Sequence, residues 1–181
     1  MLPAPLYHPH MSQAKENLLR AAIALFNRLP LNTRRRIEQR ILRFKRPMTL
    51  GVRAAVFDRQ GRVLLLRHTY KPGWMFPGGG VERGETALQA LTHELRDEAG
   101  IRLLARPRPF GIYANHAIFP NDHVLLYVLH PGEYERQPWQ PNHEIAEIGF
   151  FRLDALPDAT TPGTRRRLRE ILDGIPPTDE W

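Results

Sequence analysis

Residues 79–101 read GGVERGETALQALTHELRDEAGI. In a helix, Glu94 would face Asp97 at i,i+3 and Glu98 at i,i+4, where like charges destabilise by roughly 0.2–0.5 kcal/mol per pair. The three acids also fall in the last two turns before Gly100, a C′ glycine by position, where the macrodipole is negative and disfavours anions. Such a cluster calls for a positive partner. Arg96, Arg102 or an arginine distant in sequence would serve, and acids on a helix often mark only a solvated face. A zinc-peptidase reading starts well with His93 and Glu94 but fails at Asp97, where H-E-x-x-H needs its second histidine. A hard divalent cation is the third option. Magnesium takes oxygen ligands and is typically held by a few carboxylates together with substrate phosphates, and three acids just after a glycine-rich loop suit it.

Around this run the chain has 181 residues, 42% hydrophobic, enough for one well-buried domain with an appendage. There is no cysteine, which excludes disulfides, thiolate metal sites and a cysteine nucleophile and fits a reducing cytoplasm. No run approaches the roughly 20 apolar residues that span a bilayer. The start MLPAPLYHPHMSQ has neither the basic nor the apolar region of a signal peptide, so residues 1–11 are expected to be a disordered leader. The formal charge of +7 is uneven: residues 1–47 hold ten Lys/Arg against two acids, and residues 48–181 sixteen against seventeen. A boundary near Pro47 follows.

Within 12–47, Leu18, Leu19, Ala22, Ile23, Phe26 and Leu29 recur at helical spacing up to Pro30. Ile37, Ile41 and Phe44 then recur among seven basic residues between 34 and 46. This predicts a basic amphipathic helical hairpin. Its apolar stripes suit packing on the main domain or on a second copy in a homodimer. Its charge suits RNA or an anionic membrane surface, contacted through residues 34–46. From Met48 the texture changes. MTLGVRAAVFD and RVLLLRH read as strands about a DRQG turn, TYKPGWMFPGGG breaks regular structure, and a helix is expected from Gly84 or Glu85 to Ala99. Strands are expected at 101–105, 110–119 and 123–130, a Pro-rich loop at 131–142, and a strand at EIGFFRL. A last helix starts at Thr161 and Pro162, a cap followed by the favoured first residue, and carries Leu168, Ile171 and Leu172 as its apolar side. Strands and helices without regular alternation point to an α+β fold or a mixed sheet flanked by helices.

The spacing Gly79, Glu85, Glu94, Leu95, Glu98, Gly100 and Ile101 resembles the Nudix box, G-x5-E-x7-R-E-U-x-E-E-x-G-U with U apolar, at seven of its nine specified positions. WMFPGG before it resembles the usual run-in. The resemblance implies an α/β/α sandwich around a mixed sheet for residues 48–175, with 176–181 as a tail. It also implies hydrolysis of a phosphoanhydride in a nucleoside diphosphate linked to another group, with Mg2+ as cofactor and Mn2+ as the alternative ion. Carried over by position, Glu94 and Glu98 match the main metal ligands, Asp97 a third, and the carbonyl of Gly78 completes the set. Glu85 and His93 match the pair that braces the box.

Two positions depart from the pattern. Asp97 keeps a carboxylate on a shorter arm than Glu. His93 replaces the arginine that, in the family, pairs with the glutamate matched by Glu85 and orients the one matched by Glu94. Histidine has less reach, titrates near neutrality in its unperturbed form and lacks the bidentate fork. A Nudix-like module that binds nucleotides without efficient hydrolysis is therefore the rival reading. Replacement His93→Arg is expected to raise turnover at alkaline pH in a steady-state assay, and equal or lower activity across the pH range would contradict this.

Outside the box, Arg53, Arg67 and Lys71, with Gly79, are the candidate substrate-binding residues, although each of the three cations also reads as a surface charge. Trp74, Phe76, Tyr113 and Phe119 suit base stacking, with core packing the commoner role for aromatics beside strands. The resemblance also implies an acid as general base on the loop before the final strand, where Glu144 or Glu147 would serve and Glu144 is the preferred candidate. Glu147 is its neighbour in that segment. His116, His123 and His143 show no ligand spacing. The loops 69–75, 114–122 and 131–143 are expected to select the substrate.

Overall fold

A computed structural model of the protein describes residues 48–181 and, before them, residues 17, 25, 28–30, 33 and 34. The expected leader and basic hairpin lie, but for those isolated positions, outside the described residues. In chain order the unit Met48–Trp181 runs β1 (Thr49–Val56), β2 (Val63–His68), β3 (Trp74–Met75), α1 (Ala87–Ala99), β4 (Ile101–Leu103), β5 (Pro109–Ala114), β6 (Asp122–Leu129), β7 (Tyr134–Arg136), β8 (Ile145–Phe151) and α2 (Pro162–Asp173). No described helix is long and apolar enough to cross a membrane.

One sheet is mixed, in the order β1-β6-β5. β1 runs parallel to β6, with Val52 opposite Leu125, and β5 runs antiparallel to β6. A second sheet, β3-β2-β8, is antiparallel, and β4 pairs antiparallel with β7. Alternation along β1 sorts its side chains into two apolar layers. Val52, Ala54 and Val56 pack with Leu91 and Leu95 of α1, while Ala55 and Phe57 pack with Leu168 of α2. The strands thus lie between two helical layers, the α+β sandwich that the resemblance implies.

Several boundaries differ from the sequence reading. α1 starts at Ala87, because Thr86 caps it in a reciprocal box with Gln89 and Gly84 has the non-helical φ of 85°. Strand β5 stops at Ala114, where the Asn115 carbonyl accepts hydrogen bonds from the Ile118 and Phe119 N–H groups and turns the chain. The expected loop 131–142 contains β7, and the irregular run before the box contains β3. On α2, Leu168 is buried and Ile171 packs on the core, but Leu172 is half exposed.

Residues 176–181 fold back along β5. The Ala114 N–H donates to the Asp179 carbonyl and the Trp181 N–H to the Ala114 carbonyl, and the indole meets Tyr113 edge-on. Beneath them Arg167 is 1% exposed. It donates to Glu170 at 2.8 Å and to Thr178 at 3.0 Å, and its guanidinium carbon lies 4.2 Å from the Tyr113 ring centroid. Glu170 also accepts from the Tyr113 hydroxyl at 3.0 Å.

Candidate active site

The site is built where the glycine run lies alongside β1. Val52 donates to the Gly79 carbonyl at 2.8 Å, Ala54 to the Pro77 carbonyl at 3.0 Å, and Val81 donates back to the Leu50 carbonyl at 2.8 Å. This close approach needs glycine. A Cβ on Gly78, whose φ is 135°, would strike the Val52 carbonyl, and one on Gly79 would strike the Glu94 carboxylate. The loop therefore lies directly over the acidic end of α1.

Glu98 is buried there and accepts a hydrogen bond from the Gly78 N–H at 2.6 Å. Burial pushes its carboxyl up from 4.5 to about 7; the Gly78 bond and Arg53 oppose the rise, and Glu94 and Glu144 add to it. Burial likewise raises Glu94, with Glu144, Asp97 and Glu85 adding to the shift and Arg53 opposing it. Arg53 comes from β1, and one of its terminal guanidinium nitrogens is buried without a hydrogen-bond partner. Desolvation lowers its pKa against the pull of Glu98 and Glu94. Reading Arg53 as a surface charge is thus corrected. It is the distant arginine that faces the acid cluster.

The remaining acids of the box have partners of their own. Asp97 accepts from Arg96 at 2.6 and 2.9 Å, and that bond chiefly holds its carboxyl below the ordinary range. Its side chain points to Arg96 and is 60% exposed. His93 Nδ1 lies 2.8 Å from a Glu85 carboxylate oxygen. Glu144 accepts from the Tyr70 hydroxyl at 2.9 Å. Arg67 is paired with Glu147, and Lys71 is exposed with its ammonium 5.4 Å from the Tyr70 ring centroid. Glu94 and Glu98 are left facing Arg53.

Beside these groups opens a cavity of about 660 Å³, whose lining includes Arg53, Lys71, Gly79, Phe119, Asp122 and Trp181. Phe119 is exposed on its rim, whereas Phe76 and Tyr113 are buried in the core and Trp74 packs edge-on against Phe151. His116 and His123 stack perpendicular to each other, and the His143 carbonyl accepts from Thr69. His68, at the end of β2, was not singled out from sequence. It is 3% exposed and meets Glu98 and Glu144. Its place four residues after Leu64, which packs on α1, was the available signal.

The donor set fits a divalent cation. Glu98, Glu144 and His68 each offer an atom within 4.8 Å of the others, Glu94 lies against the neighbouring glycine, and the cluster carries more negative charge than Arg53 offsets. The raised Glu98 carboxyl has a measurable consequence. Between about pH 4.5 and 7 the folded state keeps a proton that the unfolded chain has lost, so stability falls as pH rises through this window and then levels. Melting of chelator-treated protein should show wild type losing stability relative to Glu98→Gln over that window. A constant difference between the two would contradict the assignment.

The NUDIX domain family matches residues 47–171. An 8-oxo-dGTP diphosphatase of Escherichia coli (strain K12) is 34% identical over 92 residues, covering 48% of this chain and 67% of that protein. An RNA pyrophosphohydrolase of Halorhodospira halophila is 50% identical over 46 residues, a quarter of each chain. The chain thus spans two thirds of the first relative and far less of the second. The crystal structure of a MutT NUDIX hydrolase from Burkholderia pseudomallei superimposes with a TM-score of 0.58 at 28% identity, covering 68% of this chain and 97% of that one. With the family's domain matching over two thirds of its length, and the glycine loop and acidic helix brought together in one site, the chain belongs to the Nudix hydrolase family.

Proposed function

We propose that this Nudix-type pyrophosphohydrolase cleaves, with water, a phosphoanhydride bond in a nucleoside diphosphate linked to another group. The observation that carries the reading is the Glu98 carboxyl group, buried under the Gly78 N–H and coupled, with Glu94, to Arg53, whose side chain lines the cavity. Both relatives named above are, by name, enzymes of nucleotide or RNA phosphoanhydrides, which supports a nucleotide substrate. A protein without cysteine also fits work in a reducing cytoplasm.

Glu94, Glu98, Glu144 and the Gly78 carbonyl would hold a divalent cation, Mg2+ or Mn2+, with Asp97 as a further ligand if it leaves Arg96. When bound, such an ion polarises water and neutralises charge on phosphoryl oxygens. The chain's own residues do the rest. Arg53 and Lys71, on the cavity wall, bind phosphate oxygens, and the bare backbone of Gly79 lets the diphosphate come close. Glu144, oriented by Tyr70, accepts the proton of the attacking water. His93 holds Glu85 at the helix entrance and so keeps the box in register. Arg67, tied to Glu147, contributes less directly.

The test is a substrate panel with divalent cation present: nucleoside triphosphates, nucleotide sugars, dinucleoside polyphosphates, ADP-ribose and 5′-triphosphate RNA. Release of nucleoside monophosphate, or of the corresponding RNA product, from at least one member is expected. Binding of panel members without any release would support the binding-module reading instead.

A further inference from the structure

We propose that His68 supplies a nitrogen ligand to the cation site, and that the site formed by His68, Glu98 and Glu144 therefore prefers a borderline transition ion, Co2+ or Zn2+, over Mg2+. The inference rests on the reading that the acids of α1 hold a divalent cation, and it adds the identity of a ligand and the class of ion.

The first observation is a buried imidazole without a hydrogen-bonded partner. His68 is 3% exposed, and neither ring nitrogen makes a hydrogen bond. Nε2 stands 3.6 Å from a Glu98 oxygen, beyond hydrogen-bond range. A polar group buried without a partner is costly, and such groups cluster where a ligand completes them.

The second observation is convergence. One ligand atom each from His68, Glu98 and Glu144 falls within 4.8 Å of the other two. Ligands about 2.0–2.2 Å from one ion lie no more than about 4.4 Å apart, so small side-chain movements bring all three to it.

The third is the backbone that places them. The pairing of β2 with β8 shifts register between Arg67 and His68, and the next residue, Thr69, donates to the Glu144 carbonyl at 2.9 Å. The same irregularity thus positions both His68 and Glu144, and such irregularities re-aim side chains beside active sites. Tyr70 then fixes the Glu144 carboxylate from outside, as outer partners of metal ligands do.

Ligand chemistry sets the preference. Mg2+ is bound through oxygen and keeps its water, whereas imidazole nitrogen suits later transition ions. A site of carboxylates alone would also favour those ions, so the decisive comparison is the selective effect of removing the imidazole.

The experiment is isothermal titration of chelator-treated full-length protein with MgCl2, MnCl2 and CoCl2, for wild type, His68→Gln and Glu98→Gln. His68→Gln is expected to lose Co2+ affinity by about 10-fold or more while Mg2+ affinity changes by less than about threefold. In ¹⁵N-histidine-labelled wild type, Zn2+ should shift a His68 ring-nitrogen resonance, a readout that does not depend on any variant folding. Unchanged Co2+ binding in His68→Gln, equal loss of both ions, or an unmoved His68 resonance would overturn the inference. If Glu98→Gln alone weakens all three ions, the functional reading stands and this inference falls; if no ion binds wild type, both fall.

Discussion

Glu98→Gln is expected to lower turnover by at least about 100-fold while leaving the fold intact. Outer-shell partners of metal ligands cost about 10–100-fold when removed, and a ligand carboxylate should cost at least the upper end of that range. The amide keeps the volume and can still accept from the Gly78 N–H, so circular dichroism and melting below about pH 5 should match wild type. What it loses is the charge. Affinity for divalent cation should fall with turnover, and cation excess should restore little activity. Turnover within about threefold of wild type would remove Glu98 from the reaction.

Arg167→Ala is expected to destabilise the protein by about 3–5 kcal/mol, the usual cost of removing one partner from a buried ion pair. The substitution leaves Glu170, itself 5% exposed, without its cation and takes the guanidinium from the face of Tyr113. It also unties Thr178 and the Glu180 carbonyl, so the segment carrying Trp181 should fray from β5. Urea unfolding measures the first effect, and amide exchange at Ala114 and Trp181 measures the second. The double variant Arg167→Met with Glu170→Leu should recover much of the stability, because the unpaired buried charge is then gone. A loss below about 1 kcal/mol in Arg167→Ala would mean that Glu170 finds another partner or water.

The box was the most legible part of the chain because its information is local. Spacing alone put Glu94 and Glu98 one turn apart, and a glycine run before them and Gly100 after them bounded the helix. The helix start is less legible, since Thr86 with Gln89 makes a stronger N-terminus than Gly84, whose positive φ precedes the helix. Arg53 and His68 were not legible in the same way. Alternation puts His68 on the face of β2 that carries Leu64 and puts Arg53 on the face of β1 opposite Val52 and Ala54, so only the tertiary structure brings both to the acids of α1. Arg53 in particular looks like any strand arginine until Glu94 and Glu98 are placed beside it.

The strand β7 was hidden for a different reason. Tyr134–Arg136 is three residues long with no apolar alternation, and it becomes a strand only because β4 offers an edge after α1. Residues 176–181, rich in proline and acids, likewise read as a tail. Their place along β5 depends on Arg167 and Trp181, whose contacts are tertiary.

The puzzle of three acids at a helix end therefore has several answers at once. Asp97 is neutralised locally by Arg96, Glu85 lies against His93, and Arg53 only partly balances Glu94 and Glu98. The unbalanced remainder is the proposed place of the cation and of the chemistry. Its most direct test is mass analysis of products formed in ¹⁸O-water from the best substrate of the panel, with divalent cation present and with it chelated. One ¹⁸O per turnover is expected in a phosphoryl group of a product, only when the cation is present. Turnover that survives chelation, or product phosphoryl groups without ¹⁸O, would contradict it.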